Sequence, residues 1–242
     1  VSKLDDHFFS QPVVILGGFL SFPAAYTGMK KNLSQFAQQP VQVVETTSLV
    51  WLRTVRKSGW ATVLDLLDQA VKQIVRASAT GRVTLIGHSI GGVLARLYLS
   101  PQPFQGRRYN GMKYANCLVT LGSPHKNQGG FRRGGPLSRW VEQHCPGAAF
   151  YPEVQYISVA GKWLRGSRIG SSLARFAYGV YESICGNGAV WGDGIVPVEA
   201  ALLNGAHHIV LDGVSHYTVL GEPWYGSQEA ILQWWNNSGS AL

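Results

Sequence analysis

One serine in this chain is enclosed by small residues: Gly87-His88-Ser89-Ile90-Gly91-Gly92 lies where the apolar run Arg82 to His88 meets the amphipathic run Ile90 to Ser100. The G-x-S-x-G pattern suits a nucleophile, because a sharp strand-to-helix turn lifts the hydroxyl above a sheet and glycines let strand and helix approach. A serine is a weak nucleophile until a histidine takes its proton, and the imidazolium then needs a carboxylate. Downstream stand His125, His144, His207, His208 and His216. His207 and His208 open an apolar run and read as structural. His216 follows that run in Asp212-Gly213-Val214-Ser215-His216, where it can swing over the sheet toward Ser89, so it reads as the base. For the acid, Asp193 sits in the glycine-flanked loop Trp191-Gly192-Asp193-Gly194. Asp212 is its rival, although an aspartate so placed more often makes an Asx-type turn, and Glu199 reads as a surface residue. Gly170-Ser171-Ser172-Leu173-Ala174 resembles the serine motif, but no strand-like run precedes it.

Attack on a carbonyl develops an oxyanion that needs two backbone donors. The residue after the nucleophile supplies one, the Ile90 amide. The loop Gly17-Gly18-Phe19-Leu20 after the first apolar run supplies the other, Phe19 with Leu20 as the fallback. Phe19, Leu20, Phe22 and Tyr26 then line an apolar acyl pocket, the competing reading being simply core. His88, beside the nucleophile, joins Leu20, Phe22 and Tyr26 as a substrate-binding residue.

The elements that must position these residues are βα units. Strands are expected at Pro12–Leu16, Val41–Thr46, Arg82–His88, Cys117–Leu121, Val154–Ala160 and His208–Leu211. A helix capped by Ser58 and ended by Gly81 keeps a 3.6-residue period through Trp60, Val63, Leu64, Leu67, Ala70, Val71, Ile74 and Val75. Further helices are expected at Ile90–Ser100 and near Ser227–Trp235. The fold class is α/β: one domain over 1–242, a mostly parallel sheet of about six strands flanked by helices. The connections at about 126–152 and 161–192 are too long for simple loops and read as lid or cap insertions.

Composition narrows the classes. With 45% hydrophobic residues, 14% charged residues and 29 unperiodic glycines, disorder, coiled coil and collagen are excluded. No apolar run approaches the ~20 residues of a membrane span. The net charge of +8 is concentrated: residues 105–185 hold eleven Lys or Arg against three acids, and the remainder has ten of each. That block suggests peripheral contact with an anionic membrane surface, set against a merely solvated face. No recognition motif accompanies it, so nucleic acid is not an expected partner. Cys117, Cys145 and Cys185 lack metal-ligand spacing; Cys145 and Cys185 could pair in an oxidising compartment. Trp224, Trp234 and Trp235 read as packing residues rather than lipid anchors. The expected location is cytoplasmic or peripheral to a membrane, and because the chain starts at Val1 a removed leader stays open.

PVVILGGF, VTLIGHSIGGVLAR, LVTLGSPH and GDGIVPVEAA, followed by SHYTVL, resemble the α/β-hydrolase superfamily, and within it the lipase-like and GPI inositol-deacylase-like hydrolases of bacteria, cyanobacteria and plastids. The resemblance implies Ser89, Asp193 and His216 as a catalytic triad, Phe19 and Ile90 as oxyanion donors, and a lid after Ser123-Pro124-His125. Two departures stand out. Many lipases read His-Gly where this chain reads Gly17-Gly18, and the calcium-binding acid that some bacterial lipases carry after the histidine is replaced by Tyr217-Thr218-Val219-Leu220. No metal and no cofactor are expected. The expected activity is carboxylic-ester hydrolysis of acyl glycerolipids through an acyl-enzyme. The alternatives are a short-chain soluble esterase, an acyltransferase, or a non-catalytic ligand-binding module on the same fold.

Overall fold

The computed structural model describes residues 11–37, 39–54, 59–76, 78–126 and 136–238. In chain order the elements are β1 (Val13–Leu16), α1 (Thr27–Phe36), β2 (Val41–Val43), α2 (Ser48–Arg53), α3 (Gly59–Val75), β3 (Val83–His88), α4 (Ile90–Leu99), β4 (Ala115–Leu121), α5 (Pro136–His144), β5 (Gln155–Lys162), β6 (Leu164–Arg165), α6 (Ser172–Cys185), β7 (Trp191–Gly192), α7 (Val198–Ala201), β8 (His207–Asp212) and α8 (Gln228–Ser238). The expected cap Ser58 and the basic pair Arg132 and Arg133 lie outside the described residues.

Six parallel strands form one sheet in the order β2-β1-β3-β4-β5-β8. The inner strands β1, β3, β4 and β5 are nearly continuous buried runs because both faces are covered, while the edge strand β8 alternates buried and exposed residues. In β1, Val14 and Leu16 join the core beneath α3 and α4, while Val13 and Ile15 join the opposite core with Met29, Leu33 and Trp234. Strand order reverses between β1 and β3, so the connections leaving their carboxyl ends diverge and open a crevice there. The Phe19 loop and Ser89 both leave the sheet at that point.

The first long connection carries α5, whose Leu137, Val141 and Cys145 pack into the α3–α4 core. The 2% exposed Arg96 of α4 holds its two ends: Nη2 donates to the Cys145 carbonyl at 2.6 Å and Nη1 to His125 Nδ1 at 3.2 Å. Because arginine only donates, His125 carries its proton on Nε2, which reaches Thr120 Oγ1 at 3.0 Å. The second connection holds α6 and the antiparallel pair β6–β7.

Cys117, Cys145 and Cys185 are free thiols; Cys145 is buried at the end of α5, while Cys185 Sγ lies 3.3 and 3.2 Å from the Tyr181 and Asn187 carbonyls, either of which can accept its single proton. The basic stretch is not one face: Arg107, Arg108 and Lys113 precede β4 at the amino edge of the sheet, whereas Lys126, Arg165, Arg168 and Arg175 follow strand ends at the other. Several of its charges are neutralised, Arg107 by Asp65 at 2.6 Å and Arg168 by Glu182 at 3.3 Å.

Among the described residues no helix is long and apolar enough to cross a membrane. Trp224 and Trp234 are buried, and Trp234 Nε1 donates to the Tyr225 carbonyl at 3.1 Å. Trp234→Ala is expected to cost about 3–5 kcal/mol, seen as a lower urea midpoint; an unchanged midpoint would mean that α8 adds little to the sheet.

Candidate active site

Ser89 joins β3 to α4 with φ 56° and ψ −130°, a left-handed conformation that costs a serine about 1–3 kcal/mol. Its surroundings hold it there. Its amide donates to the Leu121 carbonyl at 2.9 Å, tying the turn to the end of β4. A Cβ on Gly87 would come within 2.4 Å of Gly92 Cα, and one on Gly91 within 2.4 Å of the Leu16 carbonyl oxygen. Only glycine permits strand, helix and β1 to meet so closely. Ser171 in the discarded motif is an ordinary helix cap, with φ −60° and its hydroxyl accepting from the Ala174 amide.

His216 is fully buried, and its Nδ1 lies 2.7 Å from Asp193 Oδ2. Since the carboxylate accepts, Nδ1 carries the proton and Nε2 presents a lone pair; Nε2 is buried and has no partner among the described residues. Asp193, also 0% exposed, is satisfied on both oxygens. Oδ1 accepts from the Ile195 and Val196 amides at 2.9 and 2.7 Å, and Oδ2 accepts from the Tyr225 hydroxyl at 2.8 Å. The Tyr225 oxygen in turn accepts from the Gly161 amide on β5 at 2.7 Å. Tyr181 of α6 accepts from the Gly194 amide at 2.8 Å, so the second insertion supports the loop that bears the carboxylate. The rival Asp212 is solvent-facing and pairs with Lys162 at 3.3 Å. Glu199 is exposed, and His208 Nε2 binds the Leu203 carbonyl at 2.6 Å.

The Phe19 loop lies against the serine. A Cβ built on Gly18 would sit 2.9 Å from Ser89 Cβ and 2.7 Å from the Tyr217 hydroxyl. The Ser89 side chain interacts with that hydroxyl, which offsets part of the upward push of burial on the Tyr217 phenol. Tyr217 packs edge-on against His216, ring centroids 4.5 Å apart. Sequence reasoning passed over Tyr217; its place directly after His216 in SHYTVL was the available signal. The turn from Gly18 to Ser21 closes with Leu20 at φ 59° and the Ser21 amide on the Gly18 carbonyl at 3.1 Å. Neither the Phe19 nor the Ile90 amide has a hydrogen-bond partner among the described residues.

A family description, the PGAP1-like alpha/beta domain, matches residues 61–130. Curated protein sequences give no match. Among solved structures, a protein of Xanthomonas campestris pv. campestris assigned to the hydrolases of the alpha/beta superfamily is similar over 95% of this chain and 99% of its own, with a TM-score of 0.52 and 16% identity. The chain has the α/β-hydrolase fold. Tomato methylketone synthase I, solved with 2-tridecanone, is similar over 96% of this chain and 99% of its own, with a TM-score of 0.51 and 10% identity.

On the α/β-hydrolase fold the residues expected to bind substrate divide into two groups. Leu20 and Phe22 are 45% and 52% exposed and stand on the rim beside Phe19, whose ring packs edge-on to Trp51 at 6.1 Å. Tyr26 and His88, at 1% and 0% exposure, lie buried beneath that rim. Their polar atoms are engaged with each other, Tyr26 Oη to His88 Nδ1 at 2.8 Å.

Gly91→Ala is expected to disable the turn, since the added methyl meets fixed backbone rather than a side chain that can yield; thermal melting and serine-directed labelling of Ser89 would both report it. Burial also pushes His88 and His125 well below the ordinary 6.5. The unfolded chain therefore takes up protons that the folded one refuses. The stability from these two histidines is complete above pH 6.5 and declines below it, by up to about 1.4 kcal/mol per pH unit for each. Urea unfolding at pH 7.5 and 5.5 should show the decline and His125→Asn should lessen it; a flat profile would rule out neutral burial.

Proposed function

We propose that the chain is a serine carboxylic-ester hydrolase acting on acyl glycerolipids. The observation that carries this reading is a strained serine whose side chain bonds Tyr217, the residue after a buried histidine whose Nδ1 is held by a carboxylate and whose Nε2 has no partner among the described residues. In this mechanism Ser89 turns from Tyr217 toward His216 and its Oγ attacks the ester carbonyl carbon while Nε2 takes the hydroxyl proton. Asp193 stabilises the imidazolium, and the Phe19 and Ile90 amides hold the oxyanion. Collapse breaks the bond to the alcohol oxygen, which leaves with the proton from Nε2. Water then attacks the acyl-Ser89, losing its proton to His216, and the second collapse frees the acid and restores the serine.

The acyl preference rests on the rim. Phe19, Leu20 and Phe22 after β1, Leu49 and Leu52 of α2 after β2, and Val219 after β8 are 43–89% exposed and all belong to connections at the carboxyl edge of the sheet. Exposed apolar side chains gathered at a mouth favour an acyl chain over a polar leaving group alone. In the same reading the insertion at 161–192 forms the cap, and the basic side chains on the site's edge draw the protein to anionic lipid.

Ser89→Ala should lower ester turnover by at least about 10³-fold and Asp193→Asn by about 10³- to 10⁴-fold, with folding intact. A p-nitrophenyl ester series from acetyl to palmitoyl, repeated on emulsified lipid, tests the substrate class. Ser89-dependent activity that rises with chain length supports the lipid reading. Activity confined to acetyl and butyryl esters makes the chain a short-chain esterase, product formed on an added alcohol makes it an acyltransferase, and indifference to every ester favours a binding module. Sedimentation with anionic and neutral vesicles should show preference for the anionic ones that fades with salt; equal, salt-independent binding would remove the membrane contact.

A further inference from the structure

Two fully buried titratable side chains beside the site have no task in the mechanism. Tyr26 and His88 lie between the Phe19 loop and His216. The Gly18 amide donates to Tyr26 Oη at 2.8 Å, Tyr26 Oη meets His88 Nδ1 at 2.8 Å, and His88 Nε2 meets the His216 carbonyl at 3.1 Å. The proton positions follow from the two ends. A carbonyl only accepts, so His88 carries its proton on Nε2; Nδ1 is then bare and accepts from the Tyr26 hydroxyl, whose lone pair accepts from Gly18. Each proton along this path has an acceptor, and the hydrogen bonds run in one direction from Gly18 to the His216 carbonyl.

Ionisation does not disturb it. Burial pushes the Tyr26 phenol up to about 12 and holds the His88 imidazole neutral, so neither group changes charge in the neutral range. Rings of His216, Tyr217, Trp224 and Tyr225 pack round His88 with centroids 4.7–5.9 Å away, which fixes the imidazole plane. The arrangement also accounts for Gly17. A Cβ there would lie 2.6 Å from the Tyr26 ring and 2.5 Å from Ser21 Oγ, so the tyrosine fills the place a side chain at 17 would take. Packing alone would be served by phenylalanine. Polar atoms at such depth cost free energy unless they are paired, and here they are paired across the two loops that must act together.

We propose that Tyr26 and His88 are positioning residues that hold the Phe19 loop and the His216 peptide in one register, so that the oxyanion donors and the base keep a fixed relation to Ser89. This rests on the hydrolase reading for its catalytic consequence but not for the coupling itself. Neither residue touches substrate. Its information passes through backbone, at Gly18 on one side and at His216 on the other.

Tyr26→Phe removes one oxygen and keeps the ring. It is expected to lower kcat on a short soluble ester by about 10- to 100-fold with KM within about twofold. Affinity for a boronic acid that mimics the tetrahedral intermediate should fall by the same factor, while binding of the product acid is unchanged. His88→Gln, whose amide can accept from Tyr26 and donate to the carbonyl, should recover part of what His88→Leu loses. Independently of turnover, the His216 Nδ1 proton in the proton NMR spectrum and the exchange rate of the Phe19 amide should both change in Tyr26→Phe. Wild-type kcat in Tyr26→Phe, or equal losses in boronate and product binding with a lowered melting temperature, would overturn the proposal. Unmoved His216 and Phe19 signals in a protein with Ser89-dependent activity would overturn it while sparing the hydrolase reading. Moved signals in a protein inert to all esters would uphold the coupling and sink the hydrolase reading.

Discussion

A carboxylate with no access to water needs its lone pairs filled, and Asp193 dictates much of the surrounding structure through that demand. Removing water from an ion costs several kcal/mol unless charge-assisted hydrogen bonds replace it. Two amides from its own loop, the Tyr225 hydroxyl and the His216 ring do so. Each partner carries a further obligation. Tyr225 is placed by β5 through Gly161 and by α8 through the bond from Trp234, and His216 is placed by its own amide on the Asp193 carbonyl at 2.9 Å. Gly122 must be glycine because a Cβ there would come within 2.5 Å of Oδ2. The last helix, the fifth strand and the loop after β4 thus converge on one ion.

The serine turn is a second constraint with a different physical origin. Its backbone strain is sustained by close approach rather than by charge: β1, β3 and α4 meet through Gly87 and Gly91, and the Leu121 carbonyl fixes the Ser89 amide. The two constraints meet in the packing between Tyr217, Gly18 and Ser89, in the buried chain through Tyr26 and His88, and at the end of β4, where Leu121 holds the Ser89 amide and Gly122 lies against Asp193.

The inner strands could be read from the sequence because they are buried on both faces, which leaves runs such as VVIL at Val13–Leu16 and VTLIGH at Val83–His88 free of polar interruption apart from threonine and histidine, whereas the edge strand β8 alternates buried Ile209 and Leu211 with exposed Val210 and Asp212. The α3 stripe was equally plain. α1 was not, since TGMKKNLSQF buries only Met29 and Leu33 and carries little periodic signal. Within the site, Ser89, Asp193 and His216 are legible because each stands in a distinctive local setting of glycines and turns. The tyrosines are not. Tyr26, Tyr181, Tyr217 and Tyr225 have apolar bodies that sequence patterns assign to core, and the partner of each hydroxyl is set by a segment far along the chain. His88 was assigned to substrate because of its neighbour, whereas its depth is decided by the aromatic rings that close over it.

Sequence separation gives the site a kinetic character. The contacts that assemble it join residues 62 apart at Tyr26 and His88 and 128 apart at His88 and His216, and β8, which delivers the histidine loop, docks on the outer edge of β5. Contacts so distant along the chain form late, after much of the loop-closure entropy has been met. A nascent or partly folded chain that has built only β1 to β4 holds the serine motif but neither the acid nor the base. On the proposed reading, completion of the site therefore reports completion of the fold, and a chain still emerging from synthesis stays chemically silent until the loop after its final strand is in place.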